Sequence, residues 1–287
     1  MTPFVWQRKE NSLVYDDSPR IECLDMIAKV PLKILDIGCN TGSVGRELKR
    51  RYSNIELWGC EFNPDAAKIA RQHYDYVIEE DVTQVDFSKQ GMVGKFDTIC
   101  LFDVLEHLYN PWELLVGLKD KISDDAQVIV SLPNASNMLV LLDALRGQWR
   151  YQNWGLLDFT HIRYFTDFDA RKMFYQTGYR VEEMKVNLFG QDADIYYKLL
   201  NQSINQSINQ SINQSINQSI NQSINQPSFP ITFTIDKISI KIESEQELMR
   251  LCAIQNLYRI TPHHNQLSEE EKYWVSNERP ETFAFGG

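Results

Sequence analysis

Ile34-Leu35-Asp36-Ile37-Gly38-Cys39-Asn40-Thr41-Gly42 joins an apolar, β-branched run without polar alternation to an acid and a glycine-punctuated turn. The polar, helix-forming stretch Arg46-Glu47-Leu48-Lys49-Arg50-Arg51 follows, so the whole predicts a buried parallel strand, a tight turn and a helix. In a doubly wound sheet such a turn lies beyond the carboxyl end of a strand, where glycines let the backbone approach a ligand that a Cβ would obstruct. A nucleotide-like cofactor suits that place.

Working outward, Ile55-Glu56-Leu57-Trp58-Gly59-Cys60 reads as a second strand ending at Glu61, and Asn63-Pro64-Asp65 opens the next helix. An acid at the end of the second strand, about 20 residues beyond the glycine turn, is what folds of this class use to bind ribose hydroxyls. Tyr76-Val77-Ile78 leads to Asp81-Val82, Phe96 to Phe102 forms a fourth strand with Asp103 to His107 running into a helix, and Gln127 to Leu132 a fifth. Tyr179 to Val186 is a sixth. Strands alternating with helical stretches imply βαβ units and a mostly parallel sheet. Upstream, Tyr15 to Arg20 reads as a turn with a helix starting at Pro19, its inner face carrying Ile21, Leu24 and Ile27 or Ala28.

The bulk properties narrow the function. A chain of 287 residues with 43% hydrophobic content can bury a sizeable core, and a net charge of −10 argues against a nucleic-acid binder, which presents basic stripes. A small-molecule or protein substrate is favoured. Five cysteines without C-x-x-C spacing sit mostly in apolar runs, which predicts free thiols in a reducing compartment. No stretch of about 18 apolar residues appears, so a cytoplasmic protein without membrane insertion is expected.

Beyond the fifth strand, a helix around Met138 to Leu145 leads into an aromatic-dense segment with Trp149, Trp154, His161 and Tyr164, whose lack of periodicity suits a pocket wall or lid. Thr166 caps a further helix that Gly178 ends. Residues 201 to 226 repeat Asn-Gln-Ser-Ile six times and stop at Asn225-Gln226. Ordering four residues costs roughly 4 to 8 kcal/mol, whereas burying one Ile returns roughly 1.5 to 3, so a disordered insertion is predicted. A stacked solenoid or cross-β assembly is the competing reading. Ile231 to Ile242 then alternates as a half-exposed strand, and Ser244 with Glu247 opens a helix carrying Leu248, Leu251, Ile254 and Leu257. A second capping box at Ser268 and Glu271 precedes a loose tail after Trp274.

The run from Leu35 to Gly42, Glu61, Asp81-Val82 and Phe96 to Leu108 resembles the successive motifs of class I S-adenosylmethionine-dependent methyltransferases. Asp158-Phe159-Thr160-His161-Ile162-Arg163-Tyr164-Phe165-Thr166 is similar to a segment of bacterial methyltransferases associated with glycan and surface-polysaccharide biosynthesis. The resemblance implies a doubly wound, mostly parallel seven-stranded α/β sheet with an antiparallel terminal hairpin, Ile231 to Ile242 lying beside the sixth strand. It places a lead-in at 1–33, the cofactor-binding core at 34–200 with its lid at 147–166, the repeat at 201–226, the last strand and helix at 227–260 and a tail at 261–287. It implies S-adenosylmethionine as cofactor. Asp36, Gly38, Cys39, Asn40 and Gly42 would contact its methionine moiety, Glu61 its ribose with Phe62 alongside, Asp81 and Val82 its adenine and Phe102 its inner face. Asn40 stands where the family has glycine, and Asn tolerates positive φ.

The implied reaction is transfer of a methyl group to an oxygen of a small-molecule or glycan-type acceptor, for which His161 and His107 are the candidate catalytic residues. His161, between Asp158 and Arg163, has a pKa suited to taking a hydroxyl proton; the plainer role is to fix the lid by hydrogen bonds. Trp149 and Trp154 are candidates for a stacking wall around a ring substrate, or for lid packing alone. Asp103, Glu106 and His107, at i, i+3 and i+4, share one face of a helix and could hold a divalent cation, as quinone-biosynthesis O-methyltransferases with a similar stretch do. The expectation is no metal: Asp103 serves as an N-cap with Glu106 as its partner, and His107 packs under the cofactor. Two further readings remain open. One is a non-catalytic binding protein that keeps the fold; the other is an NAD-dependent oxidoreductase, against which the incomplete G-x-G-x-x-G counts.

Overall fold

Alternate side chains of the first strand, β1 (Lys33–Ile37), point to opposite faces, and both faces are covered. Ile34 lies with Cys23, Leu48 and Leu57 on one side; Leu35 and Ile37 lie with Trp58, Ile99 and Leu101 on the other. That is why the opening run needs no polar alternation. A computed structural model of the chain describes residues 18–86, 95–214, 227–235 and 237–263, with Ser268 and Lys272. Residues 1–17, including the turn expected from Tyr15, lie outside the described residues, as do most of the second capping box and the tail.

Seven strands form the main sheet. After β1 come β2 (Glu56–Cys60), β3 (Tyr76–Ile78), β4 (Phe96–Phe102), β5 (Ile122–Pro133) and β6 (Tyr179–Asn187), with Gln255–Pro262, here β9, as the last in the chain. Their order is β3-β2-β1-β4-β5-β9-β6, parallel except at β9, which is antiparallel to both neighbours. The predicted α/β class and antiparallel terminus are present. Register aligns Ile37 with Cys60 and with Leu101, and Phe102 with Ser131, so the turns after β1, β2, β4 and β5 open at one edge. Gln255 and Asn187, paired across β9 and β6, reach the same edge.

Helices cover the faces. These are α1 (Ile21–Leu24), α2 (Ser43–Arg51), α3 (Pro64–Ala70), α4 (Pro111–Leu118), α5 (Met138–Leu145) and α6 (Asp167–Gln176). Asn63 accepts from Asp65 and Ala66 N–H groups as the N-cap of α3, with Pro64 in the first position, and Thr166 caps α6 as predicted. α1 is a single turn whose buried residues are Cys23 and Leu24, with Met26 beyond its end, and Ile21 faces solvent.

The C-terminal third departs from the prediction. Ile231 to Ile242 is not one strand beside β6; it folds on itself as β7 (Ile231–Ile235) and β8 (Ile238–Ile242), an antiparallel pair outside the main sheet. Its apolar face joins Met138, Leu142, Tyr196, Leu199, Leu248 and Cys252 in a third core cluster. The terminal strand is β9 instead, where a helix was expected to carry Ile254 and Leu257. That helix, α8 (Glu245–Cys252), keeps its Ser244 cap but stops early. The apolar spacing ran on across the junction, but Leu257 faces one core cluster while Tyr258 and Ile260 face the other, which is the period of a strand.

The described part of the repeat also differs from the expected disorder. α7 (Gly190–Gln214) runs through Asn201 and on to Gln214, and residues 215–226 lie outside the described residues. A four-residue repeat is close to one helical turn, so successive Ile residues drift by only about 40° around a helix. Tyr196 and Leu199 anchor the start of α7 in the third cluster, so propagation replaces costly nucleation. Ser203 Oγ donates to the Ser228 carbonyl at 2.6 Å, and the Ser228 N–H donates to the Ser203 carbonyl at 3.4 Å. The chain therefore leaves and re-enters at adjoining points. Deleting 205–226, joining Ile204 to Pro227, is expected to leave the melting temperature within about 3 °C of wild type. A fall beyond about 8 °C in a thermal melt would show that the deleted segment packs on the fold.

Candidate active site

The turn after β1 is shaped by backbone conformations that ordinary side chains avoid. Gly38 has φ 76°, Asn40 φ 45° and Gly42 φ 96°. A Cβ at Gly38 would come within 2.9 Å of Val104 Cγ2, so only glycine keeps this exposed surface open. The Gly38 and Cys39 N–H groups both donate to the Cys60 carbonyl, at 2.8 and 3.1 Å, tying the turn to the end of β2. Asn40 occupies its strained position as expected.

Glu61 completes the turn. Its carboxylate accepts from the Asn40 N–H at 3.0 Å and the Asn63 N–H at 2.8 Å, so one side chain links the glycine turn to the start of α3. Asp36 lies beneath, buried, with its carboxylate accepting a hydrogen bond from the Tyr74 hydroxyl. Cys39 is buried beside it, and Phe62 is exposed at the rim. Asp81 is exposed and accepts from the Thr83 N–H and hydroxyl at 2.9 and 2.8 Å, while Val82 packs on the core. Phe102 is buried, with the Arg20 guanidinium 5.8 Å from its ring centre. These residues line successive strand ends of one edge.

The segment after β4 is not the helix expected. Asp103 has φ 55°, and only a 3₁₀ turn over Leu105–His107 follows, which makes no side-chain cap. Asp103 is thus neither an N-cap nor on a common helical face with Glu106 and His107. Its carboxylate instead takes Arg20 Nη1 at 2.7 Å, Ser131 Oγ at 2.8 Å and Gln255 Nε2 at 2.7 and 2.9 Å. Arg20 and Gln255 were not singled out from the sequence. Arg20 stood in an unremarkable lead-in, and Gln255 was hidden by the helix assignment over β9.

Two stretches distant in sequence meet here. The Ile162 and Arg163 N–H groups both donate to the Glu106 carbonyl at 3.0 Å, which seats the aromatic lid on the end of β4. His107 stacks edge-on against His161 with ring centres 4.8 Å apart, so it faces the lid. Its Nδ1 is 3.1 Å from Thr160 Oγ1, which itself donates to Asp158 Oδ1 at 2.7 Å. His161 Nδ1 lies 3.2 Å from the Leu156 carbonyl, an acceptor that fixes the proton on Nδ1 and leaves Nε2 to face Glu106 Oε1 at 4.0 Å.

The electrostatics of this cluster are set by burial. Glu106 is 1% exposed, and neither carboxylate oxygen has a hydrogen-bond partner among the described residues. Desolvation, with Asp103 nearby, holds its pKa well above the usual carboxylate range. Burial lowers His161 below the ordinary histidine value, against the opposing pull of the Leu156 carbonyl and the charges of Asp158 and Asp103. Glu106, His107 and His161 also bring one potential ligand atom each to within 4.8 Å of one another. The set that could hold a cation is therefore this one, and Asp103 is engaged elsewhere.

In the lid, Trp149 packs edge-on against Tyr164 at 5.2 Å and is 42% exposed, while Trp154 is 72% exposed. Only the first is placed to form a wall with a second ring. Among the described residues no helix is long and apolar enough to cross a membrane.

Comparison with known proteins bears on what this edge binds. Residues 17–184 match a family described as a methyltransferase domain. A ubiquinone biosynthesis O-methyltransferase of Glaesserella parasuis is 30% identical over 122 residues, 39% of this chain and 51% of that protein. The mitochondrial ubiquinone biosynthesis O-methyltransferase of Schizosaccharomyces pombe is 27% identical over 103 residues, 34% of this chain and 37% of that one. The chain thus spans about half or less of the length of these relatives. Among solved structures, the O-methyltransferase segment StiE O-MT, residues 961–1257, superposes with a TM-score of 0.51 at 12% identity, covering 90% of this chain and 77% of that one. That likeness is one of fold.

Proposed function

The chain belongs to the class I S-adenosylmethionine-dependent methyltransferase family, and from that membership we propose that it methylates a hydroxyl of a small-molecule acceptor, with His161 as general base. It is a methyltransferase and its methyl donor is S-adenosylmethionine; the binding-protein and NAD-dependent readings find no support in the comparisons. The residues present fit that cofactor, because the exposed surface at Gly38 is one that a Cβ would fill, and Glu61 stands rigidly beside it at the end of β2. Asp36, Gly38, Cys39, Asn40 and Gly42 are assigned to the methionine end, Glu61 and Phe62 to the ribose, Asp81 and Val82 to the adenine and Phe102 to the inner face. Arg20, beside Phe102 and Asp103, joins them at the methionine end.

The bound cofactor supplies a methyl group on a sulfonium sulfur. What the chain must add is an oriented acceptor and a place for its proton. The observation that supports His161 is its tautomer: Nδ1–H is held by the Leu156 carbonyl, so Nε2 carries the lone pair, with Glu106 Oε1 at 4.0 Å. An acceptor hydroxyl loses its proton to Nε2 as its oxygen gains the methyl group, and the imidazolium formed faces Glu106. His107, held through Thr160 and Asp158, sets the position of the lid histidine.

The acceptor class follows from the lid and the relatives. Trp149 against Tyr164 gives an apolar ring surface, and the relatives carry names of O-methyltransferases of quinone biosynthesis, so a phenolic ring is favoured over a glycan. Assaying methyl transfer to matched phenolic and sugar acceptors tests the class. Turnover on sugars alone would return the glycan-type acceptor.

The pH dependence has a definite sign. His161 accepts a proton only when neutral, and burial lowers its pKa, so turnover should hold as pH falls through the ordinary histidine range and drop only below it. A pH profile of kcat falling already above that range would remove His161 as the base. Chelation separates the other reading of the same cluster: with His161 as base, EDTA leaves turnover unchanged. Loss with chelator and recovery with a divalent cation would put an ion on Glu106, His107 and His161, polarising the acceptor oxygen.

A further inference from the structure

We propose that Tyr74 is the positioning residue of the cofactor-binding turn: its hydroxyl fixes the Asp36 carboxylate, and its ring is the surface on which α2, β2 and the turn close. The inference rests on the cofactor reading above and deepens it. Tyr74 is 5% exposed and Asp36 2% exposed, and the two are joined by a buried hydrogen bond between residues 38 apart in sequence.

Two segments are shaped to admit the Tyr74 ring. A Cβ at Gly45, in α2, would stand 2.4 Å from Tyr74 Cε2 and 2.5 Å from Cζ. A Cβ at Gly59, in β2, would stand 3.1 Å from Tyr74 Cδ1 and 2.7 Å from Cys39 Sγ. Gly59 is also the register partner of Asp36 across β1 and β2, so the missing side chain there leaves the space through which the phenol reaches the carboxylate. Tyr74 itself cannot drift. Its N–H donates to the Ala70 carbonyl at 3.2 Å, and the next residue, Asp75, is pinned to Leu57 by backbone and side-chain bonds of 2.9 Å each.

A ring serving only as packing would need no hydroxyl. Burying a phenol against a carboxyl, among Cys39 and Cys100, desolvates two polar groups that hydrophobic residues would have spared. The gain is a carboxyl held in one position at the end of the strand that leads into the turn. Burial raises Asp36 to about 7, with Tyr74 pulling down, Glu61 pushing up and Arg20 pulling down; Cys39, Cys60 and Cys100 are the other titratable groups that face it. The cofactor carries positive charge on its sulfonium and ammonium groups, so it binds the ionised carboxylate better. A hydrogen bond donated to that ionised form keeps it available near neutral pH.

The test is calorimetric titration of S-adenosylmethionine into the full chain and its variants from about pH 6 to 9. Wild-type affinity should rise with pH through a midpoint near 7. Asp36→Asn keeps an acceptor for the phenol but cannot titrate, so it records the ligand's own protonation. Tyr74→Phe, which keeps the ring, should lose roughly 5- to 20-fold in affinity at neutral pH and recover toward wild type at high pH, with its midpoint moved up. Wild-type affinity and midpoint in Tyr74→Phe, or a loss equal at every pH, would overturn the inference. Should Tyr74→Phe not fold, 3-fluorotyrosine placed at Tyr74 gives a stronger donor in the same ring and must lower the midpoint; an unmoved midpoint overturns the inference equally. Wild-type protein that takes no S-adenosylmethionine at any pH would overturn the cofactor reading itself, which separates the two failures.

Discussion

His161→Ala is expected to lower the rate of methyl transfer by roughly 10²- to 10⁴-fold while S-adenosylmethionine affinity stays near wild type. The imidazole stands on the lid side of the strand edge, with Nε2 toward Glu106 and Nδ1 on the Leu156 carbonyl, and it touches none of the residues of the glycine turn in any hydrogen bond or ion pair among the described residues. Its removal takes away a proton acceptor and leaves the cofactor pocket standing. Turnover and cofactor affinity measured on the same preparation distinguish this from general damage. His107→Ala, by contrast, frees Thr160 from one partner and loosens the lid, so it should raise KM for the acceptor more than it lowers kcat. An active His161→Ala enzyme would leave orientation and proximity to carry the reaction.

Glu61→Ala is expected to weaken S-adenosylmethionine binding by roughly 10- to 150-fold. The carboxylate accepts from the Asn40 and Asn63 N–H groups, and the proposed ribose assignment gives its oxygens a second task. Deleting it strands two backbone donors at the mouth of the site and lets the turn relax away from β2. The melting temperature should fall as well, because Glu61 is 7% exposed and bridges two elements. Glu61→Gln restores part of the hydrogen bonding and should recover part of the affinity. Equal affinity in Glu61→Ala and wild type would remove the ribose assignment.

Where sequence reading succeeded, local chemistry and tertiary demand agreed. The run from Ile34 to Gly42 could hardly be anything but a buried strand and a tight turn, since both faces of β1 are covered and positions 38, 40 and 42 take positive φ. Thr166, Asn63 and Ser244 announced their helices by capping alone. Where reading failed, two periods fitted one stretch. Leu248, Leu251, Ile254 and Leu257 keep a helical spacing across a junction at which the chain in fact turns into β9. The four-residue repeat was weighed as coil or strand, although four is also close to a helical turn.

The site shows the same division. The residues assigned to the cofactor lie near one another in sequence, so the tight turn at Gly38 and Asn40 and the acid that ends β2 at Glu61 were legible as structure. The Glu106 and His161 pairing was not, because it depends on how residues 148–166 fold back over β4, through two bonds to the Glu106 carbonyl. Asp103 looked like a cap because Glu follows three residues later; its actual partners are Arg20, Ser131 and Gln255, from three other segments. Tyr74 was equally hidden, since the signal for it lies in Gly45 and Gly59, two glycines whose reason is the ring they admit.

Calorimetric titration of S-adenosylmethionine into wild type, Glu61→Ala and His161→Ala tests the central claim most directly, because it asks whether the strand edge divides into a cofactor half and a proton-transfer half. The account predicts tight binding in wild type, nearly the same affinity in His161→Ala, and a loss of roughly 10- to 150-fold in Glu61→Ala. Absence of binding in wild type, or equal weakening by both substitutions, would contradict it.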